Sequence, residues 1–273
     1  MQRRSALALI AALSLAGGLV APSAATADTV LITGANSGLG LELVKQYAAK
    51  GWTVIATHRR DGVPDSLQPV VAEHPNVRVE RMDVSSIDEV HALAAKLAGV
   101  AVDVLINNAG IYSDRAACAD EACRGVDSTQ SFGMLDYELF DEIMAVNVRG
   151  PLLVSEAFLE HVRSSRQKKI VSISSTNGSV TFTLGGSGAI AYRASKAALN
   201  RAMQLVAVHE KDAGVTVLLL HPGAVLTERQ AHLTFPGMIE MQPSVTGMIE
   251  QIEKATLADT GRFIQYDGAT APW

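Results

Sequence analysis

The chain has little of what marks several large classes of protein. Only two of its 273 residues are cysteine, Cys118 and Cys123, and no histidine or further cysteine stands beside them at zinc-ligand spacing. A metal centre is therefore not expected. Aromatic residues make up 5% of the chain, which does not suit an aromatic binding platform. Basic residues are not in excess: 23 Lys and Arg against 28 Asp and Glu leave a net charge of −5. That balance excludes a nucleic-acid footprint, and the short basic run Arg163, Arg166, Lys168 and Lys169 reads as a solvated helix end. Beyond residue 28 the chain has neither an internal repeat nor a low-complexity linker.

What it does have is alanine, valine and leucine, within a hydrophobic fraction of 48%. Those are the residues of helix-on-sheet packing. The first 27 residues stand apart. Arg3 and Arg4 precede an apolar stretch, Ala6–Val20, and Ala25-Thr26-Ala27 supplies a small-residue exit. Charged start, short apolar run and small-residue exit predict a cleaved signal peptide over residues 1–27, hence an exported protein with no stable membrane span after cleavage. The apolar run is short for a membrane anchor, and Arg3-Arg4 leaves a twin-arginine route open. In an oxidising compartment Cys118 and Cys123 are placed to close a small disulfide loop; the alternative is two free thiols.

From residue 28 to the end, short apolar runs alternate with helical periodicity. Strands are predicted at 29–33, 52–57, 77–82, 102–107, 170–174, 215–220 and 262–266. Helices follow residue 39 and cover 87–97, 138–163 and 192–211. Residues 112–136 read as a polar insertion, and 230–244 as a flexible loop over a substrate, with a methionine-burying helix pair as the alternative. Nearly all-apolar strands between amphipathic helices predict an α/β fold, a doubly wound parallel sheet (Rossmann) of seven strands in a single domain, 28–273.

The first strand runs into Thr33-Gly34-Ala35-Asn36-Ser37-Gly38-Leu39-Gly40. A glycine turn between strand and helix offers free amides and a helix dipole to a pyrophosphate. Gly34 permits the tight turn, Gly38 lets the backbone approach phosphate, and Gly40 allows close packing. The second strand ends Thr57-His58-Arg59-Arg60 with no acid to bind a ribose diol. Arg59 is suited instead to a 2′-phosphate, so NADP is favoured, with NAD left open. Asp83 reads equally well as an adenine contact or as a helix cap, with Val84 beside it.

In the other half, Tyr192 and Lys196 stand one helical turn apart. Reducing a carbonyl needs hydride at carbon and a proton at oxygen. A lysine ammonium beside a phenol is expected to draw its pKa down toward the working range.

With Asn107-Asn108-Ala109-Gly110, Asn147, Ser174-Ser175, Tyr192-x3-Lys196, Pro222-Gly223 and Thr227 in this order, the chain resembles the short-chain dehydrogenases/reductases from about residue 29 to the end. It looks most like the C-factor/sniffer-like carbonyl reductases, through Tyr192–Asn200, Gly185-Gly186 and the ending 261–273. The resemblance implies Tyr192 as acid/base and Lys196 as its modulator and ribose ligand. It gives Ser175 the substrate oxygen, with Ser174 the lesser candidate, and Asn147 a relay water. It places Gly34, Ser37, Gly38, Leu39, Gly40, Arg59, Asp83, Val84, Asn108, Ala109, Gly110, Pro222, Gly223, Val225 and Thr227 on the cofactor. It further implies a small-molecule carbonyl or alcohol substrate and a homodimer or homotetramer formed through the 138–163 and 192–211 helices. Two departures stand out: Ser37 lies where NADP users often carry a second basic residue, and seventeen positions separate Ser175 from Tyr192, more than is usual. The second reading is an exported nucleotide-binding signalling protein with little turnover.

Overall fold

A computed structural model describes residues 27–112, 128–182, 188–225 and 237–273. The predicted signal peptide up to residue 26, both cysteines, Gly185, Gly186 and Thr227 lie outside the described residues.

Seven parallel strands form one sheet in the order β3-β2-β1-β4-β5-β6-β7: β1 Thr29–Ile32, β2 Thr53–His58, β3 Val77–Arg81, β4 Val104–Asn107, β5 Lys169–Ile173, β6 Thr216–His221 and β7 Phe263–Gln265. Successive side chains leave a strand on opposite faces, so each strand feeds two cores. Val30, Ile32, Val104, Ile106, Leu218 and Leu220 pack with helices α1 (Gly38–Ala49) and α8 (Met241–Lys254). Leu31, Ile55, Leu105, Ile170 and Leu219 pack on the other face with α3 (Ile87–Lys96), α5 (Gly150–Ala157) and α7 (Ile190–Glu210). Burial on both faces explains why these strands read as apolar runs rather than alternating ones. This is the expected seven-stranded doubly wound fold in a single domain.

The chain winds outward from β1 through β2 to β3, then crosses back to β4 on the other side of β1 and winds on to β7. Ligands of such sheets bind where the winding reverses, beyond the carboxyl ends of the strands. Here that point lies between β1 and β4, flanked by Thr33-Gly34 and Asn107-Asn108.

Four readings need correction. The single helix expected over 138–163 is a segmented rod: α4 (Tyr137–Met144), a π-helical turn Ala145–Arg149, α5, then α6 (Leu159–Arg163) after a break at Phe158. Pro151 has no amide to give the Asn147 carbonyl, and Gly150 N instead reaches back five residues to Ala145 O. Of the stretch 230–244, residues 230–236 lie outside the described residues, and Met241 to Ser244 open α8 with Met241 packed on the core, which fits the methionine-burying helix rather than the loop. The short helix α2 (Gln68–Glu73) follows Pro64 within a stretch given no element. The basic run is not all solvated: Lys169 is buried in β5, its Nζ donating to Ile252 O at 2.7 Å and capping the end of α8. Arg163 is paired with Glu210 at 2.8 Å.

Candidate active site

The glycine turn is held to the loop after β4 by side chains. Thr33 Oγ1 accepts from the amides of Asn108 and Ala109, both at 3.0 Å. Asn108 Nδ2 returns a hydrogen bond to Thr33 O at 2.9 Å and another to Gly34 O at 3.2 Å. Gly34 has φ +65°, and a Cβ there would lie 2.8 Å from Ala109 Cα. Close approach, as well as conformation, therefore demands glycine. A Cβ on Gly40 would stand 2.3 Å from Gly34 O and 2.5 Å from Asn108 Nδ2, so Gly40 makes room for the turn itself rather than for the sheet. Gly38 carries φ +54° with no protein atom within 4 Å of a Cβ. Ser37 is the exposed N-cap of α1, and its side chain makes no capping bond. The first amides of α1, among them those of Gly38, Leu39 and Gly40, have no intrahelical partner, which is the arrangement that binds anions.

On the β2 side, Ala35 N donates to Thr57 O at 2.9 Å, joining the turn to the strand end where Arg59 follows. Arg59 lies 4.0 Å from Glu142 of α4, both about half exposed, a pair too weak to hold the guanidinium against a phosphate. Asp61, two positions beyond Arg59 in sequence, is fully exposed and paired with Arg81 at 3.1 Å. Asp83 Oδ1 accepts from Ser85 N at 2.8 Å, a local turn. The cap of α3 is Ser86, which accepts from Glu89 N at 3.3 Å. Val84 is buried against Gly150.

Tyr192 and Lys196 share one face of α7, with the Lys196 Nζ 5.7 Å from the centre of the Tyr192 ring. Ser175 is near enough to the Tyr192 phenol to lower its pKa, whereas Ser174 is turned away and bonded to Asn200 Oδ1. The structure thus joins Ser175, not Ser174, to the tyrosine. Burial pushes the Tyr192 phenol up to about 12, against the lowering effect of Ser175. Burial also brings Lys196 down to about 8, and its ammonium donates to Ile173 O at 2.9 Å. The expected drop in the tyrosine pKa is not seen: desolvation outweighs the lowering effect of Ser175, and the neighbouring Tyr112 adds to the rise.

The Asn147 side chain sits in the π turn and is spent on structure. Its Oδ1 accepts from Ile111 N at 2.9 Å, and its Nδ2 donates to Ile111 O at 2.8 Å and to Ser195 Oγ at 3.0 Å. Both amide hydrogens are used, so this side chain fixes the loop after β4. Gly110 lies over it: a Cβ there would be 3.3 Å from Asn147 Oδ1 and 3.9 Å from Lys196 Nζ.

After β6, Pro222 O accepts from Ser244 Oγ at 2.6 Å, and Gly223 has φ +85° with Ile239 only 2.8 Å from a Cβ. Val225 is bridged to Ile239. The sequence reading overlooked several residues that shape the site. A Cβ on Gly178 would lie 2.6 Å from the main chain of Lys196, so this glycine lets the segment after Ser175 lie against α7. Gln130 is fully buried and bonds the main chain of Tyr192. Only Pro151, four residues after Asn147, signalled the irregular helix. Among the described residues no cluster of metal ligands is found, and no helix is long and apolar enough to cross a membrane.

Residues 28–235 match the family model for short chain dehydrogenase. The chain is 33% identical over 183 residues to C-signal of Myxococcus xanthus, covering 67% of this chain and 99% of that protein. Its structure is similar to NADPH-bound carbonyl reductase from chicken fatty liver, with TM-score 0.80 and 29% identity over 90% of this chain and 99% of that one. It is also similar to the carbonyl reductase Sniffer of D. melanogaster, with TM-score 0.73 and 26% identity over 90% and 100% of the two chains.

Proposed function

The chain belongs to the short chain dehydrogenases and is an oxidoreductase of that family, and from this we propose that it is an NADP-preferring carbonyl reductase with Tyr192 as its acid. The observation that carries the reading is Tyr192 beside a buried Lys196, whose Nζ stands 5.7 Å from the centre of the ring, at the strand ends where the glycine turn lies. The turn fits a dinucleotide: Gly38, at φ +54° with open space where a Cβ would stand, leaves the approach to the start of α1 clear, and that start offers unpaired amides. Gly34 to Gly40, with Asn108, Ala109 and Gly110, would hold the pyrophosphate side, and Arg59 the 2′-phosphate. Asp83 and Val84 would lie at the adenine, and Pro222, Gly223, Val225 and Thr227 at the nicotinamide. When bound, NADPH supplies the hydride.

The protein does the rest. A phenol held near 12 is protonated at neutral pH, so Tyr192 stands ready to give its proton to the carbonyl oxygen as negative charge develops there. Ser175 orients that oxygen with a second hydroxyl. Lys196, near 8, is mostly charged at pH 7 and stabilises the tyrosinate left behind. Since the Asn147 side chain is committed to Ile111 and Ser195, any water relay to Lys196 would run through the Asn147 main-chain carbonyl.

The exposed ring of Tyr112 stands 4.7 Å from that of Tyr192, which favours a moderately apolar carbonyl substrate. Exposed Leu205 and Val208 on α7 support a homo-oligomer through that helix. The leader supports export, with the cofactor carried by the folded protein. Similarity to C-signal keeps a signalling role as the second reading, which the intact set Asn147, Ser175, Tyr192 and Lys196 disfavours. The test is a panel of aldehydes, ketones and quinones assayed with NADPH and NADH. NADPH-dependent reduction of at least one is expected; no oxidation of either cofactor by any of them would refute the reading.

A further inference from the structure

Tyr192 lies in the first turn of α7, where a main-chain amide has no partner inside the helix. The N-cap residue, Ala189, has φ +58° and no side chain able to cap. The amide of Tyr192 finds its acceptor elsewhere in the chain: Gln130 Oε1, 3.0 Å away. Gln130 is fully buried, and its Nε2 donates to Tyr112 O at 2.6 Å. Tyr112 adjoins Ile111, which is bonded at both main-chain groups to Asn147. Asn147 Nδ2 donates to Ser195 Oγ, and the Ser195 hydroxyl donates to Tyr192 O at 2.7 Å. A closed polar ring therefore holds residue 192 by its amide and its carbonyl, and Gln130 is the link on the amide side. It joins the loop after β4 to α7 across sixty-two positions of sequence. A buried carboxamide satisfied at both ends is costly to place and rigid once placed.

We propose that Gln130 is a positioning residue for proton transfer: its carboxamide clamps the main chain of Tyr192 to that of Tyr112 and so fixes the phenol between Ser175 and the substrate oxygen. The inference rests on the proposed role of Tyr192 as the acid. Gln130 touches no reacting atom, and it acts only through the tyrosine.

The test is a double-mutant cycle on single-turnover reduction by NADPH of the best aldehyde or quinone of the panel, with NADPH affinity measured separately by fluorescence. Gln130→Met keeps the shape and removes both hydrogen bonds. It is expected to slow turnover about ten- to a hundredfold, the scale of a misplaced catalytic group, while NADPH affinity stays within about twofold. In the Tyr192→Phe background the same substitution is expected to change nothing further, because there is no phenolic proton left to place. Gln130→Glu keeps an acceptor for the Tyr192 amide, is expected to lose less, and carries the same cycle if the methionine variant does not fold. A loss that persists undiminished beside Tyr192→Phe, or that tracks weakened NADPH binding, overturns the positioning role alone. A Tyr192→Phe protein as fast as wild type overturns the acid and Gln130's role together.

Discussion

At the scale of single residues, the chemistry depends on how burial acts on two groups of opposite kind. Desolvation favours the neutral form of each, raising the Tyr192 phenol and lowering the Lys196 ammonium. A neutral phenol is a donor, so burial suits Tyr192 to the proposed protonation of a carbonyl oxygen. At the opposite edge of the turn, Arg59 is tied among the described residues to one half-exposed carboxylate, and a phosphate dianion would displace that partner easily. Arg59→Ala is therefore expected to weaken NADPH binding about tenfold and leave NADH nearly untouched. The two dissociation constants, compared by fluorescence titration, check this; equal losses would remove Arg59 from the 2′-phosphate. Tyr192, Lys196 and the glycines were legible in the sequence because each stands at a fixed spacing on one element. The nearness of Ser175 to the phenol, which separates that residue from Ser174, was not, since it depends on which way adjacent side chains leave the end of β5. Gln130 was invisible for a related reason: a lone glutamine after a polar insertion carries no periodicity, and its worth comes from two main-chain partners distant in sequence.

At the scale of elements, the strands were read to within about two residues, because two-sided burial leaves an unambiguous apolar run. The helix after the insertion was misjudged. Its apolar pattern runs on through the π turn, and Asn147 is presented there because the proline at 151 interrupts the ladder. The end of β6 carries a further titratable group, half-buried. His221 is brought down to about 4 by burial, with Asp267 pulling the other way, and its Nε2 lies 3.4 Å from Thr176 Oγ1. Unfolded, it would titrate near 6.5. As pH falls through the window from about 6.5 to about 4, the unfolded chain takes up a proton that the folded chain refuses, so stability is lost with acid. In His221→Gln that component is expected to vanish. The melting temperature should then fall less between pH 7 and pH 5 than in wild type, and equal falls would contradict the assignment.

At the scale of the whole molecule, the fold brings to one place groups that the sequence scatters. The reversal of winding between β1 and β4 sets the glycine turn against the loop of Asn108, and the ends of β5 and β6 carry Ser175 and Gly223 to the same edge of the sheet. Helix α7 then lays Tyr192 and Lys196 over that edge. The proposed phosphate cradle and proton donor are thus products of one topology, which is why the order of motifs along the chain foretold the architecture. In the proposed reduction NADPH would supply the hydride to the carbonyl carbon and the Tyr192 phenol the proton to its oxygen, so the chemistry depends on the phenol above all. The most direct measurement is the single-turnover rate of hydride transfer from NADPH to a carbonyl substrate in Tyr192→Phe, alongside NADPH affinity. The rate is expected to fall by at least about a hundredfold, the usual worth of a positioned acid, with affinity within about twofold of wild type. A phenylalanine variant that reduces the carbonyl at the wild-type rate would contradict it.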